Sequence, residues 1–137
     1  MAKTNIKSII HSDIHNVWET VLAVKNYSRW RSDVSKTEII NEKKFIEYTK
    51  DGYSTTFTVT VIKPLNRWEF DMENSNMKGH WVGIFNSKDD KTEIDFTEQV
   101  IAKKFFMKPF VKSYLKKQQT QFVMDLKKNI GEINRNL

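Results

Sequence analysis

The order of apolar and polar positions predicts a strand followed by two helical segments at the start of the chain. Residues Asn5 to Ile10 alternate weakly, as in a short strand. Ser12 and Asp13 then offer a helix N-cap. The apolar residues that follow recur at the spacing of one buried helical face: Ile14, Val17, Trp18, Val21 and Leu22. The segment from Asn26 to Arg31 predicts a second, shorter helical turn.

From about Lys36 to Ala102 the pattern changes to that of strands, with β-branched and aromatic residues between polar turns. The turns fix the pairing, because a one-residue slip would turn every side chain of a strand to the opposite face. If Asp51-Gly52 forms a two-residue hairpin turn, Tyr48 faces Thr55 and Ile46 faces Phe57.

Three further turns extend this antiparallel meander. The turn at Pro64 to Arg67 places Val61 opposite Phe70, the turn at Glu73 to Asn76 places Trp68 opposite Trp81, and Asp89-Asp90 places Trp81 opposite Glu98. One face of the sheet is then almost entirely apolar: Ile46, Phe57, Val59, Val61, Trp68, Phe70, Met72, Trp81, Phe85, Ile94 and Phe96. The other face is mostly acidic: Glu69, Asp71, Glu93, Asp95 and Gln99.

A long amphipathic helix at the C-terminus covers the apolar face in this prediction. Pro109 suits a helix start, where its missing N–H costs little. A helical period of apolar residues continues beyond it: Phe110, Val111, Tyr114, Leu115, Phe122, Leu126, Ile130 and Ile133. The predicted fold class is α+β, a curved antiparallel sheet of about seven strands wrapped around this helix, with two short helices after the first strand. We expect one domain over residues 1–137.

Composition narrows the classes of function. The chain has no cysteine, which excludes disulfides and Cys-based metal sites or nucleophiles. The histidines His11, His15 and His80 show no metal-ligand spacing, and no nucleotide-binding fingerprint is present. We therefore expect neither a metal nor a cofactor. No apolar run is long enough to span a bilayer and no signal peptide is recognisable, so the expected location is the cytoplasm.

The net charge of +6 permits weak attraction to nucleic acid or to anionic lipid without demonstrating either. No nucleic-acid-binding motif accompanies the charge, so nucleic acid is not an expected partner. Lysines alternate with aromatic residues between Lys103 and Lys117, and this segment could touch a membrane surface transiently. We favour the alternative, in which Phe106, Phe110 and Tyr114 face the core or a pocket mouth while the lysines stay solvated.

The opening of the chain, with Val17-Trp18 on its first helix and Trp30 in the next, resembles the START-like (SRPBCC, helix-grip) superfamily. The segment Thr92 to Val100 (TEIDFTEQV) resembles that superfamily's last strand, and the lysine-rich C-terminal helix resembles its gripping helix. The likeness extends over nearly the whole chain and points to the polyketide cyclase/dehydrase and lipid-transport family. It implies a cavity between sheet and helix for lipids, sterols, polyketides or other apolar ligands. Some members are enzymes and others activate a chaperone ATPase, although the Trp-rich C-terminal motif associated with the latter is missing.

Glu98 is the sharpest candidate for chemistry. Its predicted place is on the inward face, between Phe96 and Val100, where desolvation raises a carboxyl pKa and prepares it for proton transfer or for holding a ligand hydroxyl. The alternative is that Glu98 reaches water or pairs with a lysine. Gln118 interrupts the apolar stripe of the long helix, so its amide needs a ligand, a water or a neighbouring side chain.

Gly79 and Gly83 alternate on the same inward face. Their missing side chains would leave room for a ligand or let the sheet bend, and we favour bending.

These observations favour a binding module over an enzyme. We expect an internal cavity that binds a small hydrophobic or amphipathic ligand, such as a lipid, a polyketide-like compound or an aromatic metabolite. Its predicted wall consists of Trp30 near the mouth, Tyr48, Phe57, Val59, Trp68, Phe70, Trp81, Phe96, Glu98, Tyr114, Gln118 and Phe122. The alternatives are a cyclase or dehydratase that uses Glu98 as general acid or base, and an interaction protein that regulates a chaperone. Ligand identity and oligomeric state stay open.

Overall fold

The structure, a computed structural model, describes residues 1–131 and confirms the predicted fold class. Seven strands form one antiparallel sheet in the order β1-β7-β6-β5-β4-β3-β2. The strands are β1 Ala2–Ile10, β2 Lys36–Asn41, β3 Lys44–Tyr48, β4 Ser54–Lys63, β5 Arg67–Glu73, β6 Met77–Lys88 and β7 Lys91–Ala102. The helices are α1 Ile14–Leu22, a 3-10 helix Val24–Arg29, a second 3-10 helix Phe105–Met107 and the long α2 Lys108–Ile130.

Helix α1 forms as its sequence predicts. The side chain of Asp13 accepts a hydrogen bond from the backbone N–H of Asn16 at 3.0 Å and so caps the first turn. Val17, Trp18 and Val21 are buried on one face of this helix. The Trp18 ring meets Phe85 of β6 edge to face at 4.9 Å, which fixes α1 against one end of the sheet.

Helix α2 packs against β1 and β7 through a seam of buried side chains: Val111, Leu115, Gln119, Val123 and Leu126. Pro109 lies in its first turn, as predicted, and Gly131 ends it in a left-handed conformation with φ 88°. The predicted apolar stripe is wrong at Phe110 and Tyr114, because both side chains are exposed. They fall one position before Val111 and Leu115 and so lie off the buried seam. Ile133 lies outside the described residues.

The hairpin of β6 and β7 has the predicted register, with Trp81 paired with Glu98, Gly83 with Phe96 and Phe85 with Ile94. Strand β1 then pairs with β7, so that the first and last strands lie side by side. Glu98 therefore stands on the inward face, as the turn at Asp89-Asp90 predicts.

The predicted register between β3 and β4 is wrong by one residue. Phe45, rather than Ile46, pairs with Phe57, and Tyr48 pairs with Ser54. The connection is one residue longer than a two-residue turn, because Thr49 N–H bonds the Tyr53 carbonyl while Gly52, at φ 83°, bonds back to Thr49. Since the slip is odd, it reverses the faces of β3.

The β4–β5 and β5–β6 registers also differ from the predicted ones, but their aromatic side chains stay on the inward face. A bulge between Val59 and Val61 pairs Val59 with Phe70, where the sequence predicts Val61. Phe70 pairs with Trp81, where the sequence predicts Trp68. This second slip is of two residues and keeps every side chain on its face.

The inward face carries a continuous group of aromatic rings. Phe45 stacks on Phe57 at 4.8 Å and Phe70 stacks on Trp81 at 4.7 Å. The Trp81 ring lies over Gly83, where an added Cβ would come within 2.3 Å of it. The space above Gly83 is thus filled by an indole ring and does not contribute room for a ligand.

We predict that Gly83→Ala lowers the free energy of unfolding by about 1–3 kcal/mol, because the new methyl group must displace the Trp81 ring from a packed core. Urea denaturation followed by circular dichroism measures this change. Asn86→Ala, at an exposed site on the same strand, serves as the control and should have little effect. Equal stability of Gly83→Ala and the unchanged protein would contradict this packing.

Candidate ligand-binding cavity

A cavity of about 120 Å³ lies between the inward face of the sheet and helix α2. Its lining includes Phe45 and Phe57 from the far strands and Leu115 and Phe122 from α2. Most of the predicted wall is present: Phe57, Trp68, Phe70, Trp81, Phe96, Glu98, Tyr114, Gln118 and Phe122. The structure thus brings together residues from five strands, β3 to β7, and from the long helix α2.

Three predicted residues do not line this cavity. The Trp30 ring packs edge to face against Tyr27 and Phe122, behind the wall. Val59 is half-buried against the core. Tyr48 stands on the other face of β3, where its hydroxyl donates a hydrogen bond to Glu38 at 2.7 Å, because the register of β3 is shifted by one residue.

The same shift brings a charged group into the cavity that the sequence analysis missed. Glu47 takes the inward place beside Phe45, and its carboxylate meets Arg31 at 2.9 Å. Arg31 also meets Asp33 at 2.8 Å, and its guanidinium lies 4.9 Å from the ring centres of Tyr27 and Phe122. Phe45 and Glu47 are two positions apart, so they share a face of β3. The sequence predicts that this face is the inward one only if the turn at Gly52 is counted as three residues long.

This buried ion pair sets the electrostatics of one end of the cavity. Burial raises the pKa of the Glu47 carboxyl, and Arg31 beside it opposes that change. Burial alone would lower the pKa of the Arg31 guanidinium, but Glu47 and Asp33 raise it overall. Arg31 therefore stays charged, and each of its three nitrogens donates a hydrogen bond to a protein carboxylate.

Glu98 is a second buried acid of the cavity. It is 8% exposed, and burial raises its pKa to about 7, with Glu47 adding to the rise and Arg31 opposing it. Within residues 1–131, no hydrogen-bond donor contributes to holding its carboxylate. A carboxyl in this state can exchange a proton near neutral pH or bind a polar group of a ligand.

The long helix contributes two glutamines with different roles. Gln119, and not Gln118, occupies the buried seam. Its amide nitrogen lies 3.4 Å from the carbonyls of Thr4 and Phe96, and its side-chain oxygen has no partner among residues 1–131. Gln118 is half-buried and donates to the Tyr114 hydroxyl at 3.0 Å. The partly exposed lining residues mark the mouth of the cavity: Thr55, Asn74, Met77, Tyr114 and Gln118.

One side of this mouth continues into an exposed aromatic surface. Phe105, Phe106 and Phe110 are 80%, 65% and 69% exposed. Phe106 and Phe110 therefore do not face the core and do not line the cavity, whereas Tyr114 lies at its mouth. The 3-10 helix of residues 105–107 carries the first two away from the sheet, and Phe110 follows on the outer side of α2. We call Phe105, Phe106 and Phe110, together with the exposed neighbouring residues Lys104, Lys108 and Lys112, the aromatic–basic patch.

The part of the chain that the structure describes holds no group of three or more His, Asp or Glu side chains placed to bind a metal ion. None of its helices is both long and apolar enough to cross a bilayer.

A curved antiparallel sheet that grips a long C-terminal helix around an internal cavity defines a helix-grip protein of the START type, a ligand-binding fold. The chain belongs to the family described as polyketide cyclase/dehydrase and lipid transport, whose profile matches residues 1–131. No curated protein matches the sequence.

Solved structures share the fold at low identity. A START superfamily protein from Mycobacterium smegmatis has a TM-score of 0.83 at 12% identity, covering 98% of this chain and 100% of its own. The Zhui aromatase/cyclase from Streptomyces sp. R1128 has a TM-score of 0.83 at 9% identity, covering 93% and 92%. A conserved protein from Geobacillus kaustophilus has a TM-score of 0.81 at 16% identity, covering 95% of both chains. Likeness at this identity concerns the fold alone.

The raised pKa of Glu98 predicts a pH dependence of stability. Between pH 4.5 and about 7 the folded protein keeps a proton on Glu98 that the unfolded chain releases, so the free energy of unfolding falls as the pH rises. The fall should reach up to about 3 kcal/mol. Glu98→Gln, which cannot ionise, should lack this part of the slope in urea denaturation across that range.

Glu93→Gln is the matched control for this experiment, because Glu93 lies on the same strand with its side chain on the opposite face. It should keep the slope of the unchanged protein. An identical slope in Glu98→Gln and the unchanged protein would show that Glu98 does not titrate between these values.

Proposed function

We propose that the protein is a cytoplasmic carrier or sensor that binds a small hydrophobic or amphipathic ligand in the cavity under α2. The observation that carries this proposal is an internal space, walled by aromatic rings, that also contains an acid without a partner. A core that served folding alone would gain from filling the space and from pairing or replacing the acid, since voids and unpaired buried polar groups both cost stability. A ligand offsets both costs.

A second candidate function is supported by Glu98 alone. A carboxyl with a pKa of about 7 exchanges protons effectively near neutral pH, as a general acid or base of a cyclase or dehydratase would. The fold likeness to an aromatase/cyclase is compatible with this alternative. The binding function is favoured, because the other ionisable groups at that end of the cavity, Arg31 and Glu47, are engaged with each other.

The test of the proposed function is retention of a small molecule by the purified protein. The protein is incubated with a total small-molecule extract of cells, and native mass spectrometry identifies what stays bound. Gln118→Trp, at the mouth, should lower the bound fraction at least about tenfold by blocking entrance to the cavity. Thr120→Trp, exposed on the outer side of the same helix, should retain it. No bound molecule, or equal binding by Gln118→Trp, would refute the proposal.

The proposal includes a transient contact with a membrane surface through the segment Lys103 to Lys117. Three exposed phenylalanines close together are unusual on a surface that stays in water, and they suit the boundary between headgroups and acyl chains. The lysines among them complement anionic headgroups. Phe110 lies one helical turn before Tyr114, which lines the mouth, so contact would present the cavity to molecules dissolved in the membrane.

We predict that replacing Phe105, Phe106 and Phe110 together by Ser lowers the affinity for vesicles that contain phosphatidylglycerol at least about tenfold, because the buried apolar area is lost. Co-sedimentation at low and high salt measures the affinity and its electrostatic part. Ile39→Ser with Ile40→Ser removes two exposed apolar residues from strand β2 and should leave the affinity unchanged. Equal loss in both variants would contradict a specific patch.

A further inference from the structure

We infer that the cavity ligand is a molecule of a single aromatic ring that presents a hydrogen-bond donor, a phenolic hydroxyl or an amine, to the carboxylate of Glu98. The inference rests on the proposed function and narrows its ligand class. It follows from the size of the cavity, from the hydrogen bonds already made on its wall and from the balance of charge around it.

The size sets an upper limit on the ligand. A cavity of about 120 Å³ is well below the roughly 300 Å³ at which pockets for drug-sized molecules begin. It is closer to an apolar cavity of about 150 Å³ that accepts benzene. The walls resist enlargement, because Trp81 is stacked on Phe70 and also lies against Trp68 at 5.7 Å and Phe96 at 4.8 Å. A fused ring system or a long acyl chain would have to break these contacts.

The polar groups of the cavity wall determine which substituent on the ligand's aromatic ring can form a hydrogen bond. Arg31 is held by Asp33 and Glu47, and the Tyr27 hydroxyl donates to the Val21 carbonyl. The Tyr27 hydroxyl and each nitrogen of Arg31 therefore already donate a hydrogen bond within the protein.

Two acceptors on the same wall are left over. The carboxylate of Glu98 and the side-chain oxygen of Gln119 receive no donor from residues 1–131. Above about pH 7, where Glu98 is ionised, a ligand that supplies a donor satisfies the carboxylate, whereas a ligand with acceptors alone adds to the deficit.

The charges around the cavity also favour a ligand that carries a hydrogen-bond donor over an anionic one. At this end of the cavity Asp33 and Glu47 contact the guanidinium of Arg31, and the charges of Arg31 and Glu47 both act on Glu98, so these four residues comprise three carboxyls and one cation. An anionic ligand such as a fatty acid or a benzoate would enter a region with an excess of carboxyls and find the guanidinium already occupied. A neutral donor or an amine instead favours the ionised form of Glu98, and an amine also gains from the surrounding ring faces.

The test measures binding of five one-ring or two-ring probes by NMR, using the indole N–H signals of Trp68 and Trp81 in the wall. Phenol and benzylamine carry a donor, anisole and toluene are of similar size without one, and 2-naphthol carries a donor on a fused ring. We expect phenol or benzylamine to bind at least about tenfold more tightly than anisole or toluene, as a hydrogen bond to a carboxylate implies. The larger 2-naphthol should bind more weakly than phenol.

Two variants separate the role of Glu98 from the shape of the cavity. Glu98→Leu should bring the affinity for phenol down to that for toluene, while Glu98→Gln, which still accepts a hydrogen bond, should keep part of the difference. Glu93→Gln should change nothing. If a variant does not fold, the ratio of phenol to anisole in the unchanged protein decides by itself.

Tighter binding of anisole or 2-naphthol than of phenol would overturn the inference and leave the proposed function intact. Failure of every one-ring probe, with binding of a larger apolar dye such as anilinonaphthalene sulfonate, would have the same meaning. Failure of all probes and of the dye would overturn the inference and the proposed function together.

Discussion

The structure depends on covering one aromatic face of a curved sheet. Phe57, Phe70, Trp81 and Phe96 stand on that face, and leaving such rings in water would cost several kcal/mol. Helix α2 covers this face with a narrow row of buried side chains, about one per turn over its first half. Helix α1 covers the end of the sheet near Phe85. A narrow helix across a broad concave sheet cannot touch every ring, so a cavity is left where the cover is thinnest.

The chemistry of the cavity follows from what is buried with those rings. Arg31 and Glu47 neutralise each other across the space between the 3-10 helix and β3, which tolerates their burial. Glu98 has no such partner and holds its proton to about pH 7. The wall therefore combines one ion pair and one acid without a hydrogen-bond donor among residues 1–131. In an otherwise apolar cavity this acid would fix the orientation of a polar ligand.

The sequence predicted the aromatic wall and Glu98 but not the ion pair opposite. Phe57, Trp68, Phe70, Trp81 and Phe96 could be found because two-residue periodicity survives slips of two residues. Glu47 could not, because the extra residue in the turn at Gly52 reverses β3 and exchanges Tyr48 for Glu47. Gln118 and Gln119 were confused for a similar reason, since neighbouring helical positions differ by about 100° and only packing against β1 selects one.

By itself the sequence determined the α+β class, the element order, the N-cap of α1, the place of Pro109 in the first turn of α2 and the side of the sheet that is apolar. These are local properties: periodicity, turn residues and capping act within a few positions of each other. Only the tertiary structure decided the pairing of Arg31 with Glu47, the space under α2 and the exposure of Phe106 and Phe110. Each of these depends on contacts between residues far apart in the chain, where a shift of one position reverses a strand or rotates a helix and no local signal records it.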